Sequence, residues 1–144
     1  MIYRSTQEIS NYFTMREIKH RIDEANGLSY VETGVNGKIV KNVIIRFFSR
    51  SDANDVDIRV LNLGMLAVPE ERKADLLVTL NELNCKYRFV KFSLYSDGSI
   101  TVSYDIGTAV SLDDLGEVCR EMFIRLISIL DEVYPVIMKT LWAG

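Results

Sequence analysis

Ser111-Leu112-Asp113-Asp114 reads as a helix start. A serine hydroxyl can accept an early amide, and the acids complement the positive end of the helix dipole. From Leu112 towards Leu141 apolar residues then recur at helical spacing, among them Leu115, Val118, Met122, Leu126, Leu130, Val133, Ile137 and Met138. Such a helix of about 30 residues is roughly 45 Å long, against a span of roughly 30 Å for a small domain. A helix that long needs a broad surface to lie on, and Pro135 should kink it. Its apolar content is also wide. Met122-Phe123, Leu126-Ile127, Ile129-Leu130, Val133-Tyr134 and Val136-Ile137-Met138 wrap further round than the single stripe that covers one sheet. The surplus is read as a self-association surface of Leu130, Tyr134, Ile137, Met138 and Trp142, closing a homodimer. The plainer alternative is that the first helix covers the extra face within one chain.

The rest of the chain supplies that surface. Ser5-Thr6-Gln7-Glu8 has capping-box spacing, and Ile9, Tyr12, Phe13, Ile18 and Ile22 predict a first helix from Ser5 to about Ala25, closed by Asn26-Gly27. The period then changes to two. Asn36-Gly37 predicts a tight hairpin that sets Glu32 against Lys41, Tyr30 against Val43 and Leu28 against Ile45. After the polar stretch Ser49–Asp55, Val56, Ile58 and Val60 form a third strand. A phase shift to Leu61, Leu63 and Met65 beside Gly64 predicts a bulge. Val68-Pro69-Glu70-Glu71 opens a second helix with Ala74, Leu77, Val78, Leu80 and Leu83 on its buried side, ending near Asn84. Two more strands follow. A three-residue loop, Ser96-Asp97-Gly98, sets Leu94 against Ile100, Phe92 against Val102 and Val90 against Tyr104, which puts both apolar sets on one face; a two-residue turn would not. The expected class is therefore α+β in the order α-β-β-β-α-β-β-α, a five-stranded antiparallel sheet with helices packed on it.

At 144 residues this is one domain, 1–144. Folding at this length buries roughly 70% of the unfolded surface, enough for a core without metals or disulfides. A formal charge of -3 gives no positive field for nucleic acid or an anionic membrane. The N-terminus has no apolar signal core, and charges interrupt every stretch approaching about 18 apolar residues, so a cytoplasmic protein with reduced Cys85 and Cys119 is expected. No phosphate-binding loop, dinucleotide fingerprint or nucleophile elbow occurs. Asp52-Ala53-Asn54-Asp55-Val56-Asp57 starts like a calcium loop, but Val56 and Asp57 stand where a ligand and a glycine are needed. His20 has no nucleophile spaced to it, and Asp113-Asp114 reads as a cap. Lys86-Tyr87-Arg88-Phe89-Val90-Lys91-Phe92 interleaves charges and aromatics as single-strand nucleic-acid platforms do. The net charge favours an amphipathic strand with Tyr87, Phe89 and Lys91 outward. No catalytic, cofactor or metal residue is assigned.

Leu76–Asn84, with its asparagines Asn81 and Asn84, then Phe89–Leu94 with Lys91-Phe92, then Asp97-Gly98-Ser99-Ile100, resemble the YbjN-type family of bacterial proteins. The likeness is carried by residues of about 70 to 140; the first 68 match in element order only. Members are described as sensory-transduction regulators. The resemblance implies a fold like that of type III secretion chaperones, a dimer, and a non-enzymatic role in binding an unidentified protein client. Two other readings compete: a small-ligand-binding or catalytic domain whose site converges only in three dimensions, and a structural subunit of a larger complex. A deep polar pocket holding a carboxylate with a strongly shifted pKa would favour the ligand or catalytic reading. An extended apolar patch would favour the binding module.

Overall fold

In the computed structural model, residues 1–61, 63, 68–107 and 109–142 are described. Helix α1 runs Arg4–Met15 and buries Ile9 and Phe13 completely. It ends well before Ala25. The Ile18 amide donates to the Phe13 carbonyl and the Glu17 amide to that of Thr14, with Glu17 at φ 58. This double bond pattern is the usual left-handed helix ending, made here by a glutamate where glycine is common. No glycine announces the stop, so apolar spacing carries the helix reading past it. The expected capping box is also absent. Tyr3 is the N-cap without a side-chain cap bond, and Ser5 and Thr6 are buried within the first turn.

The residues expected to complete the helix form an extra strand, β1 (Arg21–Ala25). Asn26 (φ 53) and Gly27 (φ 77) make the two-residue turn into β2 (Leu28–Val35). Positive φ at both central residues is the hairpin turn that Asn-Gly favours. β3 (Val43–Ser49), β4 (Val56–Val60), β5 (Val90–Leu94) and β6 (Ile100–Ile106) complete one sheet. It has six strands rather than five, in the order β1-β2-β3-β4-β6-β5, and every pairing is antiparallel.

The β2–β3 register also departs from expectation: Tyr30 faces Phe48 and Val35 faces Val43. Asn36–Asn42 is a wide loop, not a tight turn, because its amides are bound elsewhere. Helix α3 (Leu112–Trp142) presents Asp131, whose carboxylate accepts from the Lys38, Ile39 and Val40 amides at 2.8 to 3.0 Å. Gly37 lies so close that a Cβ there would stand 2.5 Å from Asp131 Oδ1, and Val40 is buried in the core. The β5–β6 register is as expected, with Leu94 opposite Ile100, Phe92 opposite Val102 and Gly98 at φ 85.

Helix α2 (Lys73–Lys86) follows a 3-10 turn at Glu70–Arg72. It buries Leu76, Leu80 and Leu83, while Ala74, Leu77 and Val78 face outward. Both sets have helical spacing, so only the sheet could choose between them. The bulge expected around Gly64 and Met65 lies outside the described residues. The start of α3 is the expected cap: the Asp114 amide donates to Ser111 Oγ at 3.3 Å, and the Ser111 hydroxyl to Asp114 Oδ2 at 2.9 Å. The helix continues through Pro135.

All three helices pack on one face of the sheet. Val31, Ile45, Phe47, Ile58, Val60 and Val102 are sealed there against Ile9, Phe13, Leu115, Leu130, Val133 and Ile137. α1 crosses the first half of α3 at Gly116, where an added Cβ would stand 2.3 Å from Tyr12 Cβ. α2 lies antiparallel to the second half, with Thr79 Oγ1 2.9 Å from Thr140 Oγ1 and Tyr87 donating to Glu132 at 2.5 Å.

Candidate binding face

Strand residues alternate between faces, so the set not facing the helices shares the other side of the sheet. No helix among the described residues packs on that side. Register places Arg21, Glu32, Arg46, Arg59, Ser103 and Lys91 in one row across all six strands. The next row holds Asp23, Tyr30, Phe48, Asp57 and Asp105. Arg46 stands directly opposite Arg59, an arrangement that is repulsive by itself. Each arginine has a carboxylate to offset it. Glu32 accepts from Arg46 Nε at 2.7 Å and from Arg21 Nε at 2.6 Å. Asp57, only 4% exposed, is paired with Arg50 and with Arg59 Nε at 3.3 Å.

Aromatic rings underlie these charges. Tyr30 and Phe48 pack at 5.3 Å, with the Arg46 guanidinium 4.4 Å from the Tyr30 ring centre and Arg59 5.9 Å from that of Phe48. The electrostatics lock the charges in place. Burial works against the Glu32 carboxylate, but hydrogen bonds from Arg21 and Arg46 outweigh it and hold the pKa below the ordinary range. Arg50 is raised, first by its hydrogen bond to Asp57. A depression of about 380 Å³ opens beside the ion cluster, lined by Arg50, Asp57, Arg59, Lys91, Tyr95 and Asp105. The Lys91 side chain, at the end of the row, has no hydrogen-bond or ion-pair partner among the described residues. The face is therefore a preorganised, charge-balanced set of arginines and carboxylates over aromatic rings, with planar donors held ready for directional contacts.

Residues 6–135 match the family YbjN, whose description is "Putative bacterial sensory transduction regulator". The chain belongs to the YbjN family. The match takes in most of the first 68 residues, where the sequence alone shows the family only in its element order. Among curated proteins, none matches the chain. No described helix of this YbjN chain is long and apolar enough to cross a membrane.

The residues singled out in the sequence sort as follows. Of the expected self-association surface, Leu130 and Ile137 are fully buried in the chain's own core, Tyr134 and Met138 are half-buried, and Trp142 is 67% exposed. His20 meets a serine that sequence spacing did not suggest. Ser10 Oγ is 2.8 Å from its Nε2, and its Nδ1 is 2.7 Å from the Ile18 carbonyl. A carbonyl only accepts, so Nδ1 carries a proton and donates to Ile18, leaving Nε2 to share the hydrogen bond with the Ser10 hydroxyl. Ser10 is 7% exposed, and the pair ties α1 to the segment entering β1. Asp52 accepts from the Arg4 amide, and Asp57 of the calcium-like stretch is spent in its ion pairs. Cys119 is buried, which pushes its thiol pKa up, and Cys85 is exposed. Lys91 faces the open side, Tyr87 turns towards α3, and Phe89 is 76% exposed. Sequence reading missed the Arg–Glu–Arg row. Its residues are scattered from Arg21 to Ser103, and only the strand register aligns them.

Proposed function

We propose that this YbjN chain is a regulatory module that works by binding another protein, without catalysis, through the uncovered face of its sheet. The observation that carries this reading is the Arg46–Arg59 pair: like charges held opposite each other, each on an aromatic ring and each hydrogen-bonded in place. With Glu32 and Asp57 already offsetting that repulsion, the two guanidinium groups are fixed as planar donors that a partner's carboxylates or carbonyls can meet. The family's description as a regulator agrees. So does the direction of the carboxylate shifts, since Asp23, Glu32, Asp97 and Asp131 are all lowered and stay ionised rather than being poised as acids near neutrality. We further propose a chaperone-like mode of action in the cytoplasm, with the working unit a homodimer joined through helix surfaces, so that the sheet face stays free.

The test is capture from the native cell by tagged protein, followed by mass spectrometry. A client retained by the wild-type chain and by Glu71→Gln, but lost from the doubly substituted Arg46→Gln/Arg59→Gln chain with unchanged circular dichroism, is the expected result. Identical captured sets for all three would defeat the assignment of this face.

A further inference from the structure

Where α2 gives way to β5, a second feature lies on the helix side of the sheet and takes no part in the face described above. Phe89 has φ 66, a left-handed backbone that a bulky aromatic residue adopts only when its surroundings force it, and its ring is 76% exposed. Behind it a cleft of about 370 Å³ runs between the end of β5 and α3, within the size range of small-ligand sites. Its wall is apolar, formed by Val90, Met122, Leu126 and Ile129. Phe89 and Tyr104 flank it, with ring centres 6.1 Å apart. The charged groups lining it, Lys86, Arg88 and Arg125, are all cations, and no carboxylate joins them. The side chains of Arg88 and Arg125 form no ion pair or hydrogen bond with any described residue, and that of Lys86 only approaches the Tyr87 ring, at 5.3 Å. In a chain of net charge -3, three cations on one apolar cleft without a counter-charge are a local inversion of the molecule's sign.

We propose that this cleft binds a small amphipathic anion, an aliphatic chain ending in a carboxylate or a group of like charge. The chain lies along Val90, Met122, Leu126 and Ile129, and the head group takes the guanidinium groups of Arg88 and Arg125. Phe89 is the positioning residue. Its strained backbone turns the ring outward at the rim, where it covers one side of the bound chain. Charge complementarity selects an anion over a neutral chain, and the small volume selects a single aliphatic chain over a folded segment of protein.

Sodium octanoate, sodium decanoate and neutral 1-octanol are titrated into the full chain, followed by amide chemical shifts. Saturable shifts at Val90, Tyr104 and Leu126 are expected. Octanoate should bind at least tenfold more tightly than octanol, and decanoate up to roughly fifteenfold more tightly than octanoate, at roughly fourfold for each of its two extra methylenes when buried. The double variant Arg88→Gln/Arg125→Gln should lower octanoate affinity to that of octanol. Phe89→Gly, which accepts the positive φ without strain, should weaken octanoate binding while the thermal midpoint holds or rises. Three results would overturn the site: no saturable binding at millimolar octanoate, octanoate and octanol of equal affinity, or unchanged affinity in the arginine variant. A change of mass by light scattering in Phe89→Gly would also overturn it, because the cleft would then be held by a second copy of the chain.

Discussion

Ser5 and Thr6 are neighbours in α1, both fully buried, with opposite fates. The Tyr3 amide donates to Ser29 Oγ at 3.0 Å, the Ser29 and Thr6 hydroxyls lie 2.8 Å apart, and Thr6 donates to Ser49 Oγ at 2.9 Å. Ser5 Oγ has no partner. Thr6→Val breaks the relay and leaves buried hydroxyls on β2 and β3 unsatisfied, so it should destabilise by about 1–3 kcal/mol. Ser5→Ala removes a group that already lacks a bond, and should leave stability unchanged or raise it by up to about 1 kcal/mol. Urea midpoints decide, and equal losses for the two would refute the distinction. Neither role was legible in the sequence. A serine, a threonine and a glutamate at capping spacing look the same whether they cap a helix or lie within its first turn. The chain enters α1 from Tyr3, which is held by Ser29, and that contact comes from a strand far along the chain.

Between elements, two contacts are sharp enough to test. Gly116→Ala in an ordinary helix interior gains roughly 0.5–1 kcal/mol. Here the added Cβ would stand 2.3 Å from Tyr12 Cβ, a rigidly placed atom of the facing helix. Overpacking of about 1–3 kcal/mol should win, so the substitution should lower the denaturant midpoint; a raised midpoint would mean the α1–α3 crossing is looser than it stands here. The Asp131 latch is tested by pH. The Val40, Ile39 and Lys38 amides stabilise the ionised carboxylate and lower its pKa from 3.8. A lowered folded-state pKa contributes stability that is complete above the unfolded value and is lost as pH falls through the folded one. Asp131→Ala should therefore be less stable than wild type at neutral pH, with a gap that closes only below about pH 4. A gap independent of pH would point to packing instead. These two contacts also mark the limit of reading elements from sequence. The β5–β6 hairpin was legible because its turn, register and apolar alternation lie within a short local segment. The β2–β3 hairpin was not, because its turn is shaped by a carboxylate more than ninety positions away.

For the molecule as a whole, the proposed homodimer rests on exposed apolar side chains of the helical layer: Leu77 and Val78 on α2, and Ile124, Val136 and Trp142 on α3. Light scattering at micromolar concentration should give twice the 16.5 kDa chain mass, and Trp142→Glu should weaken the dimer more than any change in Ser51–Asp55. A mass of one chain throughout would remove it. Leu130, named in the sequence as part of the same surface, is a core residue, and Leu130→Glu would unfold the chain rather than separate two copies. The periodicities by themselves determined the α+β class, the long α3 helix, the Ser111 cap and the Asp97-Gly98 turn, because spacing, caps and turn residues act within a few positions of one another. The tertiary structure alone decided where α1 stops, that Arg21–Ala25 is a strand, which side of α2 is buried, and that Arg21, Glu32, Arg46 and Arg59 share one row. Each of these is a choice between two locally equal options. It is settled by burial and hydrogen bonding to parts of the chain that come near only on folding.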